Sequence, residues 1–229
     1  MADAAVKDTA EEAPTSVEFV FSSEQKDLRD AVRQILAEQS DEVAVRTLMD
    51  SEVGYDPGLW ARLGGELGVL GLAVPEDRGG AGGTLVDQAV VAEEFGAALL
   101  PGPVLGTVGL AIPALVALDS PDDETAQLLS ALIAGTRTAT LAWPEPGQSP
   151  VTASGDTLTG TLAQVVDGDA DVLLIAVNGA DGLALYATDG GERTRLSTLD
   201  QTRRQAAVTL DATPARLLAS GAAAEAAVT

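Results

Sequence analysis

Neither cysteine nor histidine occurs among the 229 residues. Their absence removes disulfides, thiolate nucleophiles, the usual zinc ligand sets and the commonest general base. Enzymatic chemistry in this chain must come from carboxylates or from a cofactor. Basic residues are scarce as well: 13 Lys and Arg stand against 35 Asp and Glu, a formal charge of −22. Such a field repels nucleic acid and anionic membrane surfaces, so no nucleic-acid partner is expected. An anionic ligand would need a local basic patch or a cradle of backbone N–H groups. Residues 1–18 are acidic and lack a basic start followed by an apolar core, so they do not read as a secretory signal. A cytoplasmic location is the expectation.

A stretch without charge, Phe95 to Leu118, has the length of a bilayer span. Pro101, Pro103 and Pro113, with Gly102, Gly106 and Gly109, interrupt it, and its flanks are Glu93, Glu94 and Asp119 rather than Lys or Arg. No membrane span is therefore expected. What is present is 46% apolar, ample for the cores of one large or two small domains.

Residues 1–17 mix Ala, Asp, Glu and Thr without periodicity, the pattern of a disordered acidic tail. Ser22 and Gln25 then make a capping box, and Leu28, Ala31, Val32, Ile35 and Leu36 fall on one helical face. Asp56-Pro57 reads as the N-cap and first turn of a helix carrying the stripe Trp60, Leu63 and Leu67. The run Val69 to Val74 ends at Pro75 and opens into an acidic, Gly-rich loop, 76–83, whose Glu76, Asp77 and Arg78 read as solvated charges. Thr84 caps a helix to about Ala97, and Ser120-Pro121 opens another that closes at Gly135. Beyond Gly135 the apolar period changes. Thr138 to Trp143, Leu158 to Thr161, Val172 to Val177, Leu183 to Thr188 and Ala207 to Leu210 are strand-like and separated by turn residues. The fold class is α+β: a helical domain over 18–137, then a small β-barrel or sandwich-like domain over 138–213. Residues 214–229 end in an Ala-rich helix start with nothing to pack against, a stub leading to a further domain.

Three segments carry a family resemblance. Phe21-Ser-Ser-Glu-Gln-Lys-Asp-Leu-Arg-Asp-Ala-Val resembles the opening helix of acyl-CoA dehydrogenases. Leu67 to Gly82 resembles that family's helix-to-loop signature, and Gln88 to Gly96, with Val-Ala-Glu-Glu-Phe-Gly, its next helix. The resemblance implies that the chain corresponds to the family's helical N-terminal and middle β domains and stops before its C-terminal helical bundle. It further implies FAD as cofactor, an acyl-CoA thioester as substrate and an oligomer, either of one chain or with a paralogous subunit. In the family a carboxylate, usually a Glu of the C-terminal domain, removes the substrate's α-proton while the β-hydride passes to the flavin. No Glu of this sequence matches that base, so the catalytic residue is unassigned, and the chain alone is expected to be inactive.

The flavin-facing positions carried over are Trp143, Pro144, Ser149, Gln164 and Val166. The family's Thr-Glu-Pro-Gly turn here reads Pro144-Glu-Pro-Gly, without the hydroxyl or its backbone N–H. Ser149 is the nearest match to the Ser of the following Gly-Ser-Asp. In the Gly-x-Lys-x-Trp/Phe-Ile-Thr-Asn strand, matched by Gly160 to Asp167, Leu162 replaces Lys, Gln164 the aromatic and Val166 the Thr. Two alternatives follow from these losses: a non-catalytic partner of a paralogous dehydrogenase subunit, or a scaffold with no ligand. A bound metal is not expected.

Overall fold

The computed structural model describes residues 20–143, 148–179 and 182–229. The expected tail 1–17 lies outside them. Helix α1 (Ser23–Gln39) opens on the capping box read from the sequence: the Gln25 N–H donates to the Ser22 hydroxyl at 3.2 Å and the Ser22 N–H to Gln25 Oε1 at 3.1 Å. α2 (Glu42–Asp50), which the pattern did not signal, starts on Asp41, whose carboxylate accepts the Ala44 N–H at 2.8 Å. α3 (Pro57–Gly65) has Asp56 as N-cap and Pro57 in its first turn, and it buries Leu59, Trp60 and Leu63. α4 (Leu85–Ala97) opens on a second capping box, Thr84 with Asp87.

The charge-free stretch folds as a π-helix, Val104–Ala111, that runs into α5 (Ile112–Val116). Among the described residues no helix is long and apolar enough to cross a membrane. α6 (Asp123–Ile133) is capped by Asp122 rather than by the Ser120-Pro121 pair, since it is the Asp122 carboxylate that accepts the Thr125 N–H. Gly135 closes it at φ 68°, with its backbone pressed against Trp60: a Cβ there would lie 2.5 Å from the Trp60 carbonyl oxygen.

Among the described residues eight strands follow: β1 (Ala139–Ala142), β2 (Val151–Ser154), β3 (Thr157–Val166), β4 (Val172–Gly179), β5 (Gly182–Thr188), β6 (Glu192–Arg195), β7 (Gln205–Pro214) and β8 (Arg216–Ser220). One sheet has the order β1-β4-β5-β8, with β1 parallel to β4 and the other pairs antiparallel; the second, β2-β3-β7-β6, is antiparallel throughout. They stack as a sandwich and do not close into a barrel. β2 and β6 carry few apolar residues and exist as the outer strands of hairpins with β3 and β7, which is why an apolar pattern does not reveal them.

The first sheet is the middle of three layers. Val172, Leu174 and Ala176 of β4 pack with Leu115, Leu129 and Leu132 of the helical half. Leu173, Ile175 and Val177, pointing the other way by the two-residue strand period, pack with Leu158, Val208 and Leu210 of the second sheet. A third cluster, around Trp60, Leu63, Val91 and Phe95, fills the far side of the helices. The end of the chain, expected to have nothing to pack against, does pack. β8 completes the first sheet beside β5, and α7 (Ala222–Val228) buries Ala224 and Ala227 in the helix-sheet core. The Ala-rich pattern hid this packing because alanine carries too little side chain to mark a face.

Candidate functional site

Strands β1 and β3, which hold the positions matched to flavin contacts, lie in different sheets and are joined near one end. The Thr140 hydroxyl donates to the Val166 carbonyl at 2.7 Å. β3 changes register against β7 between Leu162 and Val165. This irregularity lets both Leu162 and Val165 face the core, leaving Gln164 exposed and Val166 half-buried. The Gln164 amide nitrogen donates to Gln205 Oε1 on β7, where Gln205 pairs with Val166. Gln164, Val166 and Gln205 are thus brought together.

Trp143 follows β1 directly and is 49% exposed. It lies three residues, roughly 10 Å of extended chain, beyond Thr140. Ser149 is exposed ahead of β2, in a segment tied to β4 by the bond from Asn178 Nδ2 to the Gln148 carbonyl at 2.9 Å. Pro144 lies outside the described residues. The described part of this face therefore offers a half-open indole, an amide already engaged and a backbone carbonyl already bonded. The side chain at Val166 has no polar atom, and no basic group replaces the Lys at Leu162. Among the described residues no cluster of acidic side chains is arranged to hold a metal ion.

Asp167, named by the sequence only as the end of a motif, is the most constrained residue of the region. It adopts φ 49° and is 3% exposed. Its Oδ2 accepts the Gly106 N–H of the π-helix at 2.8 Å, its own N–H donates to the Arg204 carbonyl at 2.8 Å, and its carbonyl accepts the Ala170 N–H at 2.9 Å. Burial pushes its carboxyl up to about 6, against the opposing bond from Gly106, with Asp169 adding to the rise and Arg203 opposing it. The signal available in the sequence was an acid where the family motif ends in Asn.

Asp167 lines a cleft of about 200 Å³ with Tyr55, Thr138, Asp169, Asp171 and Arg204. Burial raises the Tyr55 hydroxyl, and the Asp171 and Asp169 charges add to it. Arg204, buried, spans from the residue before β7 to the end of α2, donating to the carbonyls of Glu52 and Ser51 at 2.6 Å each. Arg195 reaches the Met49 carbonyl at 3.2 Å and Arg203 the Leu100 carbonyl at 2.8 Å. Arg78 corrects its reading as a solvated loop charge: its guanidinium bonds the carbonyls of Leu115, Val116 and Leu118 at the end of α5. A guanidinium placed there satisfies carbonyls that a helix leaves without partners and meets the negative end of its dipole.

Residues 22–136 match the acyl-CoA dehydrogenase N-terminal domain. The chain is 48% identical over 87 residues to acyl-CoA dehydrogenase IpdE2 of Mycolicibacterium smegmatis, a match covering 38% of this chain and 28% of the relative. It is 45% identical over 112 residues to IpdE2 of Mycobacterium tuberculosis, covering 49% and 34%. The Tcur3481–Tcur3483 steroid ACAD variant superposes with a TM-score of 0.71 at 32% identity, over 88% of this chain and 58% of that one. The ChsE4–ChsE5 complex from Mycobacterium tuberculosis gives 0.76 at 27% identity, over 92% and 61%. The matches thus reach about a third of the curated relatives' length and three-fifths of the similar structures' chains. Given the family domain over half the sequence and the same helix-and-sandwich arrangement in those structures, the chain belongs to the acyl-CoA dehydrogenase family.

Proposed function

We propose that the chain is a subunit of a flavin-dependent acyl-CoA dehydrogenase that removes hydrogen across Cα–Cβ of an acyl-CoA thioester, in lipid or sterol side-chain catabolism. The observation that carries this reading is the Thr140–Val166 bond, which holds together the two strands on which the family's flavin motifs fall. FAD, when bound, supplies the hydride acceptor. The chain's part would be to present the Trp143 ring and the end of β3 as one wall, with Ser149 at its rim, and to exclude water from it. The similarity to a steroid ACAD and to a two-chain complex supports a sterol-derived acyl group and assembly with a paralogous subunit. The proton-abstracting carboxylate would come from outside the residues assigned here.

A second reading is favoured by one arrangement: the Gln164 amide is already bonded to Gln205, and Val166 has no hydroxyl to offer. A chain so built suits a partner subunit that keeps the scaffold while a paralogue holds the flavin. Purification of this chain alone and together with a paralogous dehydrogenase chain, followed by the flavin's visible spectrum and an acyl-CoA oxidation assay, separates the two. Flavin bound to this chain alone favours the first reading. Flavin and activity found only in the mixed assembly favour the second, and a chain with neither, in isolation or in the mixture, leaves only a scaffold.

A further inference from the structure

We propose that Asp167 is a proton-operated joint that fastens the turn between β3 and β4 to the π-helix of the helical half. The inference stands independently of the flavin reading. Its geometry has four parts. The carboxylate is buried, yet among the described residues no Lys or Arg comes within ion-pair distance of it. Its bond crosses from the β half to the π-helix, meeting an N–H in the first turn that the helix itself does not use. The approach is so close that a Cβ at Gly106 would lie 2.9 Å from Asp167 Cβ and Oδ2. The residue sits at positive φ, a backbone state that the surrounding contacts must hold in place.

Asp167 also borders the cleft, which gives protons a route to it. The charged groups around it come from every element packed there. Asp169 and Asp171 lie on its own turn, Arg203 and Arg204 immediately precede β7, and Glu52 and Tyr55 lie between α2 and α3; the π-helix and β1 contribute no charge at this point. With Asp167 protonated, the buried carboxyl has no charge to desolvate and the turn stays seated against the helix. With it ionised, the Gly106 N–H opposes but does not offset the cost of the buried charge, so the carboxylate is drawn toward the water of the cleft and Gly106 is released together with the turn that follows Val166.

The chain's lack of histidine makes the test clean, because no imidazole titrates near neutrality. The measurement is the amide resonance of Gly106 in the isotopically labelled full chain, followed between about pH 5 and 8. The wild type is expected to show one titration step with its midpoint near 6. Asp167→Asn, which keeps shape and tolerates positive φ, should abolish the step, and Asp169→Asn should retain it at a lower midpoint because a charge that raises Asp167 is gone. A Gly106 resonance that does not move in the wild type overturns the joint without needing any variant. So does a step that survives in Asp167→Asn.

Discussion

At the scale of single residues, the helical spacing of Trp60 and Leu63 was enough to place both in the core, where they are 2% and 0% exposed. Leu63→Ala should cost about 2 to 5 kcal/mol and Trp60→Ala about 3 to 5 kcal/mol, read as lowered denaturation midpoints in urea. Equal midpoints for wild type and both variants would contradict that burial. Asp167 behaves in the opposite sense. Its carboxyl is raised in the folded protein, so between about pH 4 and 6 the native state holds a proton that the unfolded chain has lost, and stability falls as pH rises through that window. From 3.8 to about 6 is roughly two pH units, a ceiling of about 3 kcal/mol. Asp167→Asn should therefore flatten the profile and be more stable than wild type at pH 7, with the two converging near pH 4. Asp87, Asp122 and Asp200, held below the ordinary carboxylate range chiefly by hydrogen bonds, lose their contribution only at more acid pH, so they do not mask the window. Trp60 was legible because its burial follows from a local period. Asp167 was not, because its burial depends on Gly106, sixty-one residues away in the chain.

At the scale of elements, the well-capped helices were read correctly because Ser22, Asp56 and Thr84 act within three residues of themselves. α2 was missed for the converse reason: the far end of the helix is held by Arg204 and Arg195 from the β half. Arg204→Met keeps the stem but leaves the carbonyls of Ser51 and Glu52 without their donor. It should cost about 1.5 to 3 kcal/mol for the loss of charged hydrogen bonds. Hydrogen exchange should accelerate selectively in 42–50, whereas uniform acceleration throughout the protein would show that the arginine does not act on α2 in particular. The flavin-matched positions show the same division. Gln164 and Val166 could be placed on one strand from the sequence, but their different exposures come from a register shift against β7 that no spacing within β3 encodes.

At the scale of the whole molecule, the change of apolar period after Gly135 does mark where helices give way to strands, but packing does not stop there. Ala139 and Leu141 of β1 belong to the same cluster as Leu129 and Leu132 of α6. A single cooperative transition is expected, with far-ultraviolet dichroism and tryptophan fluorescence melting together; two separated transitions would show that the halves fold apart. Strand β4 is the reason. Because its alternate residues furnish opposite cores, no position from Val172 to Val177 has a lenient side. Across a saturation scan read out by soluble yield, tolerance elsewhere in the sandwich should rise and fall with every second residue. Along β4 that rhythm should vanish, leaving an unbroken band of six intolerant positions through which the sequence has almost no freedom to drift.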